Sequence, residues 1–250
     1  MSANVIVRSD TGIAIATDGI GYDSQGVVVC HVSKVAIMPE WSCAIASRGA
    51  GGVTSALHYG LVRLANFGRP ISGFDDLLIH LPDVAAEYHK ALFADPSHTY
   101  PHFSLMIGGF SIARDRFETY SLRSRDFEFM IGHEPQMQRA YTLFPLPDTH
   151  FAPTPSPEAC AAAGLYQRGP DEQPEDGRHT AIRGVCAARL DKGALPDHPA
   201  DEDYAIGGFV QLTTIFRDQI TSEIVHRWPD VIGEKLDPMR GELLPEFLRG

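Results

Sequence analysis

In the stretch SANVIVRSDTGIAIATDG, residues 2–19, two runs of β-forming residues flank a short turn. The runs cover 3–8 and 13–18, and both contain several β-branched side chains. The group DTG at 10–12, which separates them, is typical of a turn. The stretch therefore predicts a β-hairpin that begins at the first residues of the chain.

The β pattern continues beyond this hairpin. Residues 26–38 (GVVVCHVSKVAIM) and 41–47 (WSCAIAS) are again rich in strand-forming side chains, and Pro39 and Glu40 mark the turn between them. Four strands joined by short turns favour an antiparallel meander. We therefore expect the first fifth of the chain to form one such meander.

The later segments alternate between helical and extended patterns. Helical spacing of apolar residues covers 53–66 and 73–93, and Pro82 should interrupt or kink the second segment. The proline-rich segment 143–158 and the polar segment 168–178 are expected to be loops. Further strands are expected at 102–110, 117–122, 127–132, 204–217 and 219–226, and further helices at 157–166 and 179–191.

This order of elements predicts the α+β class. Two sheets can bury their apolar faces against each other while helices cover the outer faces. We therefore expect a four-layer α-β-β-α sandwich of two antiparallel sheets. A single domain is expected over 1–228, followed over 229–250 by a polar C-terminal extension that contains Pro238 and Pro245.

Composition excludes several classes of protein. The chain has 250 residues, of which 44% are hydrophobic, and this suits one large domain with a substantial core. Its formal net charge of -11 argues against a nucleic-acid partner, because such proteins present positive surfaces to phosphates. The sequence shows neither a secretory signal nor a long apolar run, so we expect a cytoplasmic protein without a membrane span. The four cysteines lack C-x-x-C spacing and the histidines lack an H-E-x-x-H pattern, so we expect no metal site.

The N-terminal part of the chain resembles proteasome β-subunits and the bacterial two-component proteasome-like protease, which are N-terminal nucleophile hydrolases. The resemblance lies in SANVIVRSDTGIAIATDG, VSKVAIM (32–38) and CAIASRGAGG (43–52). In this family the nucleophile opens the first strand, an acidic residue ends the second, and a lysine and a glycine-containing turn follow. Ser2, Asp18 and Lys34 fall at the first three positions, at equal intervals of 16 residues.

The resemblance implies a hydrolase that cleaves a peptide or small amide through Ser2. Methionine is ordinarily removed before such a small residue, and a free α-amine with a pKa of ~8 can accept the serine proton. Lys34 would lower the proton affinity of the amine, and Asp18 would orient Lys34. Backbone N–H groups of Arg48 and Gly49 would stabilise the oxyanion. The family likeness further implies a homo-oligomer that needs no metal and no organic cofactor.

Three positions depart from the family pattern. Asp203 matches an acidic residue that supports the nucleophile's amine, but Ile206 stands where the family has a serine before a Gly-Gly pair. His133 stands where an earlier family serine is expected, and we treat it as a further candidate catalytic residue. Arg48 occupies the usual glycine position of the oxyanion turn, with Gly49 next.

Each candidate also has a plainer interpretation when taken alone. Ser2 could merely permit removal of the initiator methionine, Asp18 could belong to a turn, and Lys34 could be a solvated strand residue. Asp203 lies in an acidic run that suits a solvated loop. The departures from the family pattern therefore leave open a second hypothesis, a catalytically inactive proteasome-like structural or scaffold subunit.

Overall fold

The computed structural model describes residues 2–68, 70–96, 101–131, 134–165, 177–194 and 202–249. Within these ranges the chain has a mixed α+β fold with several antiparallel sheets, as the sequence predicts. The strands are β1 (Asn4–Arg8), β2 (Ile13–Asp18), β3 (Ile20–Tyr22), β4 (Val28–His31), β5 (Val35–Met38), β6 (Cys43–Gly49), β7 (Phe103–Ser111), β8 (Arg116–Arg123), β9 (Phe127–Ile131), β10 (Glu134–Gln138), β11 (Phe144–Pro145), β12 (Thr149–Ala152), β13 (Lys192–Ala194), β14 (Glu202–Tyr204), β15 (Phe209–Ile215) and β16 (Ile220–Arg227). The α-helices are α1 (Val53–Asn66), α2 (Phe74–Ala94), α3 (Pro157–Ala162) and α4 (Gly177–Arg189), and 3-10 turns cover Pro39–Trp41 and Glu246–Leu248.

The first sheet joins five antiparallel strands in the order β12-β1-β2-β15-β16. Asn4 of β1 pairs with Thr17 of β2, which in turn pairs with Gln211 of β15. The pairing of β1 with β2 confirms the predicted N-terminal hairpin. Because this hairpin lies at the interior of the sheet, most of its side chains are buried.

The second sheet joins five antiparallel strands in the order β11-β8-β7-β6-β5. The predicted meander is therefore wrong, since β1 and β2 lie in one sheet while β5 and β6 lie in the other. The predicted strand over 26–38 is divided into β4 and β5. The division arises because the Val32 amide donates to the Gly19 carbonyl at 3.1 Å, and Lys34 turns to bind Asp18.

Three groups of buried apolar side chains join these elements. One connects the two sheets and includes Ile6 and Ile15 from the first and Ala44 and Met106 from the second. A larger group packs α1 and α2 against the second sheet. The third packs α4 against β1, β2 and β15 of the first sheet.

Two segments that contain prolines differ from the sequence prediction. Of the two effects predicted for Pro82, an interruption of the helix is wrong, because α2 runs continuously from Phe74 to Ala94 through this residue. The segment 143–158 contains β12, which pairs with β1 at the edge of the first sheet, although we expected only an extended loop. Here the prolines flank the strand, at Pro147 and Pro153, and leave its own amides free to pair.

The segment that follows residue 228 packs onto the domain. The Val28 amide donates to the Glu234 carbonyl at 2.9 Å, and Leu236 is buried with Ile20. Leu248 is buried in the same group as α4. Among the described residues, no helix is both long and apolar enough to cross a membrane.

Candidate active site

A buried ion pair joins the end of β2 to the start of β5. The Lys34 Nζ lies 2.8 Å from Asp18 Oδ1 and 2.7 Å from Oδ2. Asp18 is fully buried and Lys34 is only 8% exposed. Burial lowers the pKa of the Lys34 ammonium from its ordinary value, Asp18 opposes this shift, and the positive charge of Arg48 adds to it. The two residues predicted from their spacing are thus brought together away from water.

Ser2 directly precedes Ala3, whose backbone is hydrogen-bonded to Asp18 of this ion pair. The Ala3 amide donates to Asp18 Oδ1 at 2.9 Å, and the Asp18 amide donates to the Ala3 carbonyl at 3.2 Å. Since side chains alternate along a strand, Ser2 shares a face with Asn4 and Ile6. Ile6 belongs to the group that joins the two sheets, so Ser2 faces the end of the space between them. Ser2 is 6% exposed.

Gly207 and Gly208 lie against the Asp18 side of the site. The Gly207 amide lies 3.5 Å from Asp18 Oδ2, and the Gly207 carbonyl accepts from the Gly19 amide at 3.1 Å. Gly208 has a φ of 76°, and a Cβ there would lie 2.6 Å from the Gly19 carbonyl oxygen. Only glycine fits this approach, which explains the Gly-Gly pair predicted near the site.

The main-chain amides of β6, the strand beside the Asp18–Lys34 ion pair, alternate in direction. The Ser47 amide donates to the Lys34 carbonyl at 2.9 Å, toward β5, whereas the Ala50 amide donates to the His102 carbonyl at 3.0 Å. Amides of an antiparallel strand point alternately to its two neighbours. The Gly49 amide therefore points to the same side of β6 as that of Ser47, the side on which β5 lies.

Because of this alternation, the amides of the two residues predicted for the oxyanion turn point in opposite directions. Arg48 pairs with Ser104 of β7, and its amide faces that strand. Gly49 has a φ of 97°, and a Cβ there would lie 2.2 Å from the His102 carbonyl oxygen. Of the two, Gly49 is the residue whose amide points away from β7, to the side of β6 on which Lys34 lies.

Asp203 lies in different surroundings from those predicted. Its carboxylate accepts from Lys235 Nζ at 2.6 Å and from the Tyr204 amide at 2.9 Å. Within the described ranges, no hydrogen bond connects it to Asp18 or Lys34. His133, the remaining candidate, lies outside the described residues.

A second buried ion pair was not predicted from the sequence. Arg189, at the end of α4, binds Asp230 through two hydrogen bonds of 2.9 and 2.8 Å, and both side chains are almost completely buried. Asp230 Oδ2 also accepts from the Gly208 amide at 2.7 Å, and Arg189 donates to the Ile206 carbonyl at 3.0 Å. The pair therefore fixes the backbone over 206–208, which in turn contacts Asp18.

Only a weak sequence signal could have located this pair. Arg189 is the one charged residue in the otherwise apolar run GVCAARL, residues 184–190, where burial of an arginine requires a partner. Asp230 follows Pro229 in a polar segment, so its sequence surroundings do not indicate that it is buried.

No family model matches this chain, and a search of curated proteins finds no match.

Proposed function

We propose that this protein is an N-terminal nucleophile hydrolase of the proteasome β-subunit type, and that it cleaves a peptide or small amide through Ser2. The observation that carries the proposal is the buried, doubly hydrogen-bonded Asp18–Lys34 pair. Asp18 also accepts from the amide of Ala3, which fixes the residue next to the nucleophile. A buried ion pair that also binds the residue following a serine is a costly arrangement that catalysis explains.

The packing of the fold supports the same class. Apolar groups join the two sheets to each other, α1 and α2 to the second sheet, and α4 to the first. This distribution favours the four-layer α-β-β-α sandwich of the family. Assembly into a homo-oligomer and a cytoplasmic location belong to the proposal as well.

In the proposed reaction, removal of Met1 frees the α-amine of Ser2. The amine accepts the hydroxyl proton while Ser2 Oγ attacks the substrate carbonyl carbon. The resulting oxyanion accepts a hydrogen bond from the Gly49 amide. The tetrahedral intermediate then expels the leaving amine, which takes the proton from the α-ammonium, and leaves an ester on Oγ.

Water completes the cycle by hydrolysing this ester. The α-amine accepts a proton from water, hydroxide adds to the ester carbonyl, and the carboxylic acid departs as Oγ regains a proton. Throughout, the Lys34 ammonium lowers the proton affinity of the α-amine by charge repulsion. Asp18 holds Lys34 in place with both carboxylate oxygens. The chemistry requires no metal and no organic cofactor.

Covalent labelling tests the proposal directly. Incubation with a β-lactone should add one label per chain, and peptide mapping should place it on Ser2. Intact mass should first show that Met1 is absent. The Ser2→Ala variant, which also permits removal of methionine, should fold normally and take no label. A folded, Met1-free wild-type protein that takes no label at Ser2 would instead support the scaffold hypothesis.

The role of the Gly49 amide gives a separate prediction. Gly49→Ala should reduce the rate of β-lactone labelling by about 100-fold or more, the usual cost of losing one oxyanion donor. The added Cβ would force the strand away from the His102 carbonyl and turn the amide out of position. The reaction is quenched at a series of times, and the labelled fraction measured by mass spectrometry gives this rate.

Gly51→Ala is the matched control. A Cβ on Gly51 meets no atom within 4 Å, so this variant should label at the wild-type rate. Equal rates for both alanine variants would show that the Gly49 amide does not serve as the oxyanion donor.

A further inference from the structure

The segment that joins β4 to β5 contacts the first sheet at three consecutive residues. The Val32 amide and the Lys34 ammonium make the outer two contacts. The central contact is made by Ser33, whose hydroxyl donates to Oε1 of Gln211 on β15 at 2.8 Å. Ser33 and Gln211 are 178 positions apart in the chain, and the proposed reaction uses neither of them.

Gln211 lies between the two chain segments that carry the buried ion pair. On its β2 side it is the register partner of Thr17, the residue before Asp18. Directly opposed residues on neighbouring antiparallel strands have Cβ atoms about 5 Å apart. Toward the second sheet it binds Ser33, the residue before Lys34. One side chain therefore adjoins the residue that precedes each member of the ion pair.

Hydrogen bonds hold the Gln211 amide in one orientation. Its Nε2 donates to Ser222 Oγ on β16 at 2.9 Å, and Ser222 Oγ lies 2.8 Å from Thr213 Oγ1. Because the amide nitrogen donates to Ser222, the amide oxygen is the atom that accepts from Ser33. A chain of side-chain hydrogen bonds thus runs from the edge of the first sheet to the start of β5.

A β-bulge lies at the same position of the first sheet. Val210 pairs with His226, whereas Gln211 pairs with Ile224, so Val225 of β16 is passed over. An extra residue of this kind bends the strand and changes the direction of nearby side chains, and bulges are frequent beside active sites. The irregularity therefore coincides with the residue of β15 that binds the segment between β4 and β5.

The hydrogen bond between Ser33 and Gln211 acts on local geometry more than on overall stability. Ser33 is exposed and Gln211 is half-buried, so water can replace the bond when it is lost. Lys34 follows Ser33 directly, and its four-carbon stem is flexible. Asp18 binds the ammonium, but the main chain at Ser33 determines the direction from which the stem enters the site. Displacement of a catalytic group lowers the rate even when the fold is intact.

We propose that Gln211, acting through Ser33, is a positioning residue for the Lys34 ammonium. This inference rests on the proposed function, in which that ammonium lowers the proton affinity of the Ser2 α-amine. The Gln211 amide keeps the main chain at Ser33 in place, and the lysine charge therefore stays at a constant distance from the α-amine. When this hold is lost, the charge moves away and the α-amine binds its proton more tightly.

The pH dependence of β-lactone labelling tests this role. Gln211→Leu and Ser33→Ala should each slow labelling at neutral pH by about tenfold. Both should also move the pH of half-maximal rate upward, because the pKa of the α-amine rises toward its ordinary value of ~8. Ser33→Thr keeps the hydroxyl and should label as wild type does. Gln219→Leu is the matched control, because Gln219 is exposed in the turn between β15 and β16 and accepts from Phe216 through its main-chain carbonyl.

Two further measurements separate positioning from a general loss of structure. The double variant Ser33→Ala with Gln211→Leu should label no more slowly than either single variant, because each of them already removes the same hydrogen bond. Hydrogen exchange followed by mass spectrometry does not depend on labelling. Peptides that cover 32–36 should exchange faster in both single variants and at the wild-type rate in Ser33→Thr and Gln219→Leu. Thermal melting verifies that each variant is folded.

The outcomes distinguish the positioning role from the hydrolase itself. Labelling of the wild-type protein with an unshifted pH dependence in Gln211→Leu would overturn the positioning role alone. Additive losses in the double variant would also overturn it, because the two residues would then act independently. A wild-type protein that takes no label at Ser2 would overturn the hydrolase. In that case faster exchange over 32–36 in Gln211→Leu retains the hold on Lys34, and unchanged exchange overturns it.

Discussion

Replacing Lys34 with methionine should reduce β-lactone labelling of Ser2 by at least about 100-fold, the scale of lost proton-transfer assistance. The same change should lower the free energy of unfolding by about 3–5 kcal/mol, because it leaves the Asp18 carboxylate buried without its cation. Asp18 is fully buried, and Lys34 supplies two of its hydrogen bonds. Labelling kinetics and urea unfolding measure the two effects separately.

A double variant separates the chemical role of Lys34 from its structural role. Asp18→Leu combined with Lys34→Met removes both charges, and apolar replacement of a buried pair often costs little stability. This variant should regain most of the lost stability but none of the labelling. Lys90→Met serves as the control, since Lys90 is exposed on α2 and should change neither quantity. Recovery of labelling in the double variant would refute the role proposed for Lys34.

Local patterns allow the sequence to predict the elements but not their assignment to sheets. The hairpin of β1 and β2, and the helices α1 and α4, follow from periodicity within a few residues. The division of 26–38 into β4 and β5 depends on contacts of Val32 with Gly19 and of Lys34 with Asp18. Such contacts join residues far apart in the chain, so no local window contains them.

The same limit applies to the site. Asp18 and Lys34 could be found because their spacing from Ser2 matches a known pattern, and the structure brings them together. Arg189 and Asp230 are 41 positions apart and follow no motif. Residue type could not distinguish the amide of Arg48 from that of Gly49 either, because the alternation of hydrogen bonds along β6 decides which one points to the side on which Lys34 lies.

Removing the carboxylate of Asp230 should be among the most destabilising single changes in the chain. Asp230→Ala leaves the Arg189 guanidinium completely buried without its acid, and we expect a loss of about 3–5 kcal/mol in the free energy of unfolding. It also removes the acceptor of the Gly208 amide. Asp237→Ala is the matched control, because Asp237 is exposed and binds Arg189 only through its main-chain carbonyl. Chemical denaturation of the three proteins measures the difference.

The pair should also affect the chemistry, through the backbone that it holds. Arg189→Met combined with Asp230→Leu replaces both buried charges with apolar side chains. The free energy of unfolding should therefore recover to within about 1–2 kcal/mol of wild type. The segment Ile206–Gly208 would nevertheless lose two of its hydrogen bonds, and Gly207 would no longer be held against Asp18. Labelling of Ser2 should therefore stay at least about tenfold slow in a stable protein, since misplaced catalytic groups cost rate even when the fold is intact. Wild-type labelling in the double variant would limit the pair to a structural role, whereas slow labelling with recovered stability would identify both residues as positioning residues for Asp18 and Lys34.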